Sequence, residues 1–337
     1  MKKTIGVVVL IAWFASGTTA SAQILESVGE RALGMGGAFV GVATDSSATW
    51  WNPAALATGP FLDFGLGRQV GQLTGRLPSE RDHTSWFAIA TPPFGFSYYG
   101  FRVTQALDPT AQPRAHREEE GAVVPLRSLA ASQLGVTFVH SLVSDVHVGT
   151  TLKYVRATPM LSSADAAGSP SDLLDTGDDL SGRDAHSAFD LDVGAMAVAG
   201  AFRVGAVVRN VRQPDFETGD GGTSLRIPRQ VRAGAALDAE KIRPSLPLIV
   251  SLDADLRRYA AGTGDRRVVA VGVERWVVER RLGVRGGGRF NTVGRQDRAA
   301  TAGVSFAVRP GVFVEAHAVR GGDDDEQGWG VSARVSF

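Results

Sequence analysis

The chain has 337 residues, with 35 Lys and Arg against 35 Asp and Glu, 41 Gly, 0 Cys and a mean hydropathy of +0.00. Lack of cysteine excludes a disulfide framework, and the neutral balance argues against a nucleic-acid binder, which would show a basic stripe. The length admits two soluble domains or one large barrel, and after the N-terminus no run is long and apolar enough for a spanning helix.

Residues 1–22 read as a secretory signal peptide. Lys2 and Lys3 form a basic start, the apolar run covers residues 5–14, and Ala20-Ser21-Ala22 is a small-residue stop before Gln23. A membrane anchor would need about 20 apolar residues, and this run breaks sooner.

Residues 23–58 form a second unit without strand periodicity. The run from Glu30 to Ala43 is punctuated by Gly34, Gly36, Gly37 and Gly41. It lacks both the G-x-G-x-x-G spacing and the lysine of a phosphate loop, so no nucleotide and no other cofactor is expected. Asp45 is read as an N-cap. Asn52 is a stronger one, because its side chain can accept from an orphan amide and Pro53 suits the first helical position.

Residues 59–337 alternate apolar with polar or small side chains, the period of a strand between two environments. Fourteen strands are expected, at 62–70, 85–91, 94–104, 133–139, 146–154, 189–198, 202–211, 231–238, 246–256, 268–277, 282–290, 300–308, 312–319 and from 329 to the end. The last is the clearest: Trp329, Val331, Ala333, Val335 and Phe337 share one face, and Gly330, Ser332, Arg334 and Ser336 the other. Short connections such as Pro92-Pro93 and Arg309-Pro310-Gly311 alternate mostly with longer polar ones at 105–130, 156–185 and 212–228. That is the pattern of a transmembrane antiparallel β-barrel. A β-sandwich shares the short strands, but the glycine content and charged inner faces suit a lumen. Tyr154, Trp276, Phe290 and Trp329 fall near strand ends, where interfacial girdles sit. The terminal Phe337 resembles the signal read by the barrel assembly machinery.

Two constellations bear on chemistry. Glu315 and His317, two apart on one strand, share an inward face, with Ser305 and Ser332 nearby, but no G-x-S-x-G elbow occurs. No catalytic residue is assigned and no enzyme is expected. The run Asp323-Asp324-Asp325-Glu326 fails the calcium-loop pattern, with Gln327 and Arg334 at ligand positions. It and the acidic stretch 172–184 give no metal site.

The run Arg31-Ala32-Leu33-Gly34-Met35-Gly36-Gly37-Ala38-Phe39-Val40, with Asp45-Ser46-Ser47-Ala48 and Asn52-Pro53-Ala54, resembles the FadL/TodX-type outer-membrane transport family and its PorV-like relatives from type IX secretion. The resemblance implies that residues 23–58 form a periplasmic hatch inside a 14-stranded barrel, with Asn52-Pro53-Ala54 in the lumen near a kinked third strand and with Gly34, Gly36 and Gly37 in the same gating element. It implies passive uptake of hydrophobic small molecules, such as long-chain fatty acids or aromatic hydrocarbons, released sideways through the wall. The alternative is a PorV-like carrier for exported proteins. The expected partners are the apolar ligand, outer-membrane lipids and lipopolysaccharide, and the assembly machinery, with no nucleic acid, for a monomer in the outer membrane. An apolar pocket is required, and Phe94, Phe96, Tyr98, Tyr99 and Phe101 could contribute, although half of them must face lipid.

Overall fold

A computed structural model describes residues 21–22, 28–111, 122–182, 184–217, 224–261, 264–322 and 326–337. The expected signal peptide lies outside the described residues except for Ser21 and Ala22, as do Asp323, Asp324 and Asp325. Fourteen antiparallel strands follow one another: β1 (Asp63–Leu73), β2 (Ser79–Thr91), β3 (Phe94–Ala106), β4 (Ala122–Val143), β5 (Val146–Asp165), β6 (His186–Ala199), β7 (Phe202–Arg209), β8 (Gln230–Asp238), β9 (Leu248–Asp255), β10 (Val268–Val277), β11 (Leu282–Asn291), β12 (Arg298–Arg309), β13 (Val312–Gly321) and β14 (Glu326–Ser336). Each pairs with its sequence neighbour, and β1 pairs with β14, so the wall closes without a free edge.

The alternation places side chains as the sequence pattern requires. On β9, Val250 and Leu252 are exposed outside, while Ser251, Asp253 and Asp255 are buried inside. On β14, Trp329 and Val331 face out and Ser332 is buried. Tyr154, Phe290 and Trp329 are exposed on the outer face, as a girdle requires. Trp276 is not: it shares the parity of buried Glu274, turns into the lumen and meets Phe313 edge-on at 5.8 Å between centroids. Its place near a strand end was right, but a period of two sends it inward.

The largest departure concerns β4 and β5, which are 22 and 20 residues long. Their upper halves fall in the stretches 105–130 and 156–185, which the sequence pattern gives as long polar connections. Outward Val124 and Leu126 are instead covered by helix α3 (Pro170–Asp178), through Leu173 and Leu174. The helix starts on a capping box: the Ser169 hydroxyl accepts from the Asp172 amide, Asp172 returns to the Ser169 amide, and Pro170 follows the cap. Its Asp178 carboxylate accepts from Arg81 at 3.0 Å and Thr104 at 2.6 Å. Strand β7 ends at Arg209 because Asn210 takes a φ of 54°.

Phe337 is 70% exposed, and its amide and carbonyl exchange bonds with Leu62 at 2.8 and 3.2 Å, extending the β1–β14 seam by one step. Deleting Phe337 should lower the yield of assembled barrel, measured as the fraction whose gel mobility shifts on heating. An unchanged fraction would show that neither this seam nor the terminal aromatic contributes to assembly.

Candidate functional site

The lumen is filled by residues 28–58, nearly all of them buried. This N-terminal segment comprises α1 (Glu30–Gly34), α2 (Ala48–Trp51) and a 3-10 helix over Pro53–Thr58. Its glycines let two backbones touch. A side chain at Gly34 would meet the Gly303 Cα of β12 at 3.0 Å, and one at Gly36, whose φ is +70°, would meet the Gly288 amide of β11 at 2.8 Å. Gly37, at φ +82°, packs on the Trp51 ring.

Asn52 caps the 3-10 helix, its Oδ1 accepting from the Ala54 amide at 3.2 Å, while its Nδ2 donates to Val40 O at 3.0 Å and to Ala195 O of β6 at 3.1 Å. Asp45 is not the N-cap of α2: Ser47 holds that position, and the Asp45 carboxylate accepts from the Ser47 amide at 3.0 Å and hydroxyl at 2.5 Å. Asn52-Pro53-Ala54 therefore sits against β5, β6 and β7. A side chain at Gly149 would meet the Ala54 amide at 2.4 Å, one at Gly194 the Asn52 Oδ1 at 2.2 Å, and one at Gly205 the Asn52 Nδ2 at 2.7 Å. The third strand, β3, meets the flanking residues instead: Gly95 faces Thr49 and Leu56, and the Tyr99 and Thr49 hydroxyls bond at 2.5 Å. Its register runs unbroken from Phe94 to Ala106 against both β2 and β4, so no kink interrupts the pairing there.

One side of the lumen is ionic. Arg31 holds Glu274 of β10 bidentately at 2.8 Å and reaches Thr44 at 2.9 Å and Asp45 at 3.2 Å. Glu274 also accepts from Arg285 of β11 at 2.6 Å, Arg285 donates to Ser305 of β12 at 2.6 Å, and Ser305 donates to Glu315 of β13 at 2.6 Å. Arg334 of β14 continues to Asp63 of β1 at 3.1 Å, and Asp63 accepts from the Ser46 amide at 2.8 Å. On β9, Asp253 accepts from the Phe39 and Val40 amides, both at 2.8 Å. A second cluster joins Lys153 to Asp192 at 2.7 Å, Asp190 at 3.0 Å and Asn210 at 2.6 Å.

The sequence reading found Glu315, His317 and Ser305 but not these partners. Glu315 and His317 are both buried on the inner face as expected, but Ser305 is bonded to Arg285 and Glu315 as a link in the ionic chain. In the strand expected at 246–256, Asp253 and Asp255 alternate with Leu252, Ala254 and Leu256 and so share the inner face, whereas Glu274, Arg285 and Lys153 carry no motif. Gly149, Gly194, Gly205, Gly287 and Gly303 likewise carry no motif.

The other side is aromatic. Trp50 meets Tyr99 at 5.1 Å and Phe101 at 5.3 Å, and Val103, Leu129, Val155 and Ala157 extend the same surface. Tyr99 and Phe101 thus face inward while Phe94, Phe96 and Tyr98 are exposed outside. Arg209 lies over the Trp50 and Trp51 rings at 5.1 and 5.5 Å. A cavity of about 90 Å³ above Leu33 is lined by Gln69, Glu80, Asp82, Arg289, His317 and Glu326. It is polar rather than the apolar pocket expected. The apolar inner surface lies on β3–β5 and packs with Trp50 of the N-terminal segment and with Phe216, Leu225 and Ile227 of the 212–228 connection.

The barrel of the channel CymD, described as a monoaromatic hydrocarbon channel, superposes with a TM-score of 0.64 at 13% identity over 92% of this chain and 97% of that one. The Pseudomonas putida toluene transporter TodX gives 0.59 at 12% identity over 93% and 99%, and a Pseudomonas aeruginosa FadL homologue 0.56 at 11% identity over 89% and 96%. The chain has the fold of the FadL/TodX-type channels. The family described as "F plasmid transfer operon, TraF, protein" matches residues 95–255, just under half of the chain. No curated protein matches the sequence.

Because the chain has 0 Cys, one cysteine introduced by Ala55→Cys reports release of the segment through its rate of thiol labelling. Arg31→Ala leaves two buried carboxylates short of their donor, a change of about 3–5 kcal/mol, and should accelerate labelling strongly; equal rates would show that the ionic chain does not hold the segment. Burial pushes the Glu30 carboxyl from 4.5 up to about 8, with the Ser332 hydroxyl opposing. The packed state therefore favours protonated Glu30. Its contribution is complete below the ordinary value and is lost as pH rises through about 8. Labelling should quicken between about pH 5 and 9 beyond the intrinsic reactivity of the thiol, and Glu30→Gln should remove that excess.

Proposed function

We propose that the protein is an outer-membrane channel for passive uptake of hydrophobic small molecules, of the class of long-chain fatty acids or aromatic hydrocarbons, and that residues 23–58 are its periplasmic hatch. The observation that carries this reading is the continuous apolar inner face of β3–β5, from Phe101 and Val103 to Val155 and Ala157, which ends on Trp50 of the N-terminal segment. An apolar solute gains from such a surface and gains nothing from the ionic side. The shared fold with CymD and TodX, whose descriptions name hydrocarbons and toluene, supports the same class. With Trp50, Trp51 and Leu56 packed on this surface, passage requires the hatch to shift. The role is binding and passage without a catalytic step, carried out by a monomer exported through a cleaved signal peptide. No feature of the wall or lumen favours the protein-carrier alternative.

Protein purified with its native lipids should retain an apolar ligand that mass spectrometry identifies, and Trp50→Ala with Phe101→Ala should weaken its retention. Removal of residues 24–57 should leave an assembled barrel, because the strands pair among themselves, with raised conductance in planar bilayers, because about 14 strands enclose a lumen wide enough to leak. A truncated barrel that conducts no more than the intact protein would defeat the hatch assignment. An intact protein that never binds apolar compounds would defeat the uptake reading.

A further inference from the structure

The outer face of β1–β5 changes character abruptly between two rows of cross-strand neighbours. The lower row runs Leu66, Phe87, Tyr98, Leu134 and Tyr154, and it is hydrocarbon and aromatic throughout. Two residues further from the short turns, the next row runs Arg68, Ser85, Gly100, Ser132 and Arg156. Aromatic rings beside such a step mark the edge of the hydrocarbon layer, so the second row sits at headgroup level on the side of the long loops.

Above it the wall is roofed by α3. Arg102 is occupied by the Asp178 and Leu180 carbonyls, and Arg81 by the Asp175 and Asp178 carboxylates. Arg68 and Arg156 are exposed, and among the described residues neither guanidinium has a protein partner. Between them, under the end of α3, lies a recess of about 740 Å³ lined by Arg68, His83, Ser85, Tyr98, Ser132 and Arg156.

We propose that this recess is a binding site for the diphosphorylated disaccharide headgroup of lipid A, the membrane anchor of lipopolysaccharide, with its acyl chains lying along the Leu66–Tyr154 row. The argument is charge complementarity with a matching span. Arg68 and Arg156 stand four inter-strand steps apart, and at about 4.8 Å per step their Cα atoms are about 19 Å apart. Side chains reaching inward from both ends suit two phosphates carried at opposite ends of a disaccharide. A single glycerophosphate would engage one arginine and leave the other. Guanidinium groups bind phosphate bidentately, and Ser85, Ser132 and the Gly100 gap between them leave room and hydroxyl partners for a sugar. The site rests on the outer-membrane reading for its orientation but not on passage of any solute through the lumen.

The test is native mass spectrometry of the intact protein in detergent, titrated with diphosphoryl lipid A, monophosphoryl lipid A and phosphatidylglycerol. One diphosphoryl lipid A per barrel is expected, bound about tenfold more tightly than the monophosphoryl form, as one charge-assisted contact implies. Arg68→Gln and Arg156→Gln should each weaken it by about tenfold, and Arg68→Lys with Arg156→Lys should recover part of the loss. Arg309→Gln, at a short turn on the opposite rim, should change nothing. Full affinity in the double glutamine variant, equal binding of phosphatidylglycerol, or an equal loss in Arg309→Gln would overturn the proposal. A heat-dependent gel shift confirms that each variant is assembled, and retention of the apolar ligand in the same preparation separates failure here from failure of the uptake reading.

Discussion

The bidentate contact between Arg31 and Glu274 is the constraint around which the interior is arranged. Burying a charged pair costs less the more of its donors and acceptors are met, and here each ion recruits the next: Arg285 on Glu274, Ser305 on Arg285, Glu315 on Ser305, Arg334 on Glu315, and Asp63 between Arg334 and Ser46, with Arg285 Nη1 and Arg334 Nε left without a partner among the described residues. The consequence is one bonded path that touches β10 through β14, β1 and both ends of the stretch 31–46. Such a path specifies position more than it adds stability. Arg31 cannot move without stranding a carboxylate, so the segment that carries it has one seat in the barrel.

Glycine supplies the complementary half of that fit. Gly34 against Gly303 and Gly36 against Gly288 bring backbone to backbone, Gly149 does the same for Pro53 and Ala54, and Gly194 and Gly205 make room for the Asn52 side chain. Charges fix where the segment sits, and missing side chains fix how near. The aromatic side is held differently, by Trp50 between Tyr99 and Phe101 with Arg209 over its ring. A surface of rings can slide and repack at lower cost than a chain of buried ion pairs, so the two sides of the lumen differ in how readily they yield.

The barrel was legible because a strand with lipid on one side and a lumen on the other writes a period of two into the sequence. All fourteen strands fall where that alternation is found. The upper parts of β4 and β5 escaped because they adjoin the polar stretches 107–121 and 162–186, and the helix that covers Val124 and Leu126 is distant from them in sequence. Trp276 shows the same limit, since proximity to a strand end does not say which way a ring turns. The lumen was legible only where it is local. Asn52 as a cap and the glycine run could be read over a few residues, whereas Arg31 and Glu274 are separated by 243 positions in the chain and neither carries a motif.

Strand length has a geometric consequence of its own. With a rise of about 3.4 Å per residue, β4 with its 22 residues extends far beyond β7 and β9 with 8 each. The hydrogen-bonded wall is therefore tall on one flank and low on the other, and its upper rim slopes like a cut stem. A level rim would open toward bulk water, but a sloping one faces along the membrane surface at its low flank. On the proposed uptake reading, oily molecules are most concentrated there, held at the boundary rather than dissolved above it, so the slant turns the mouth toward its richest supply.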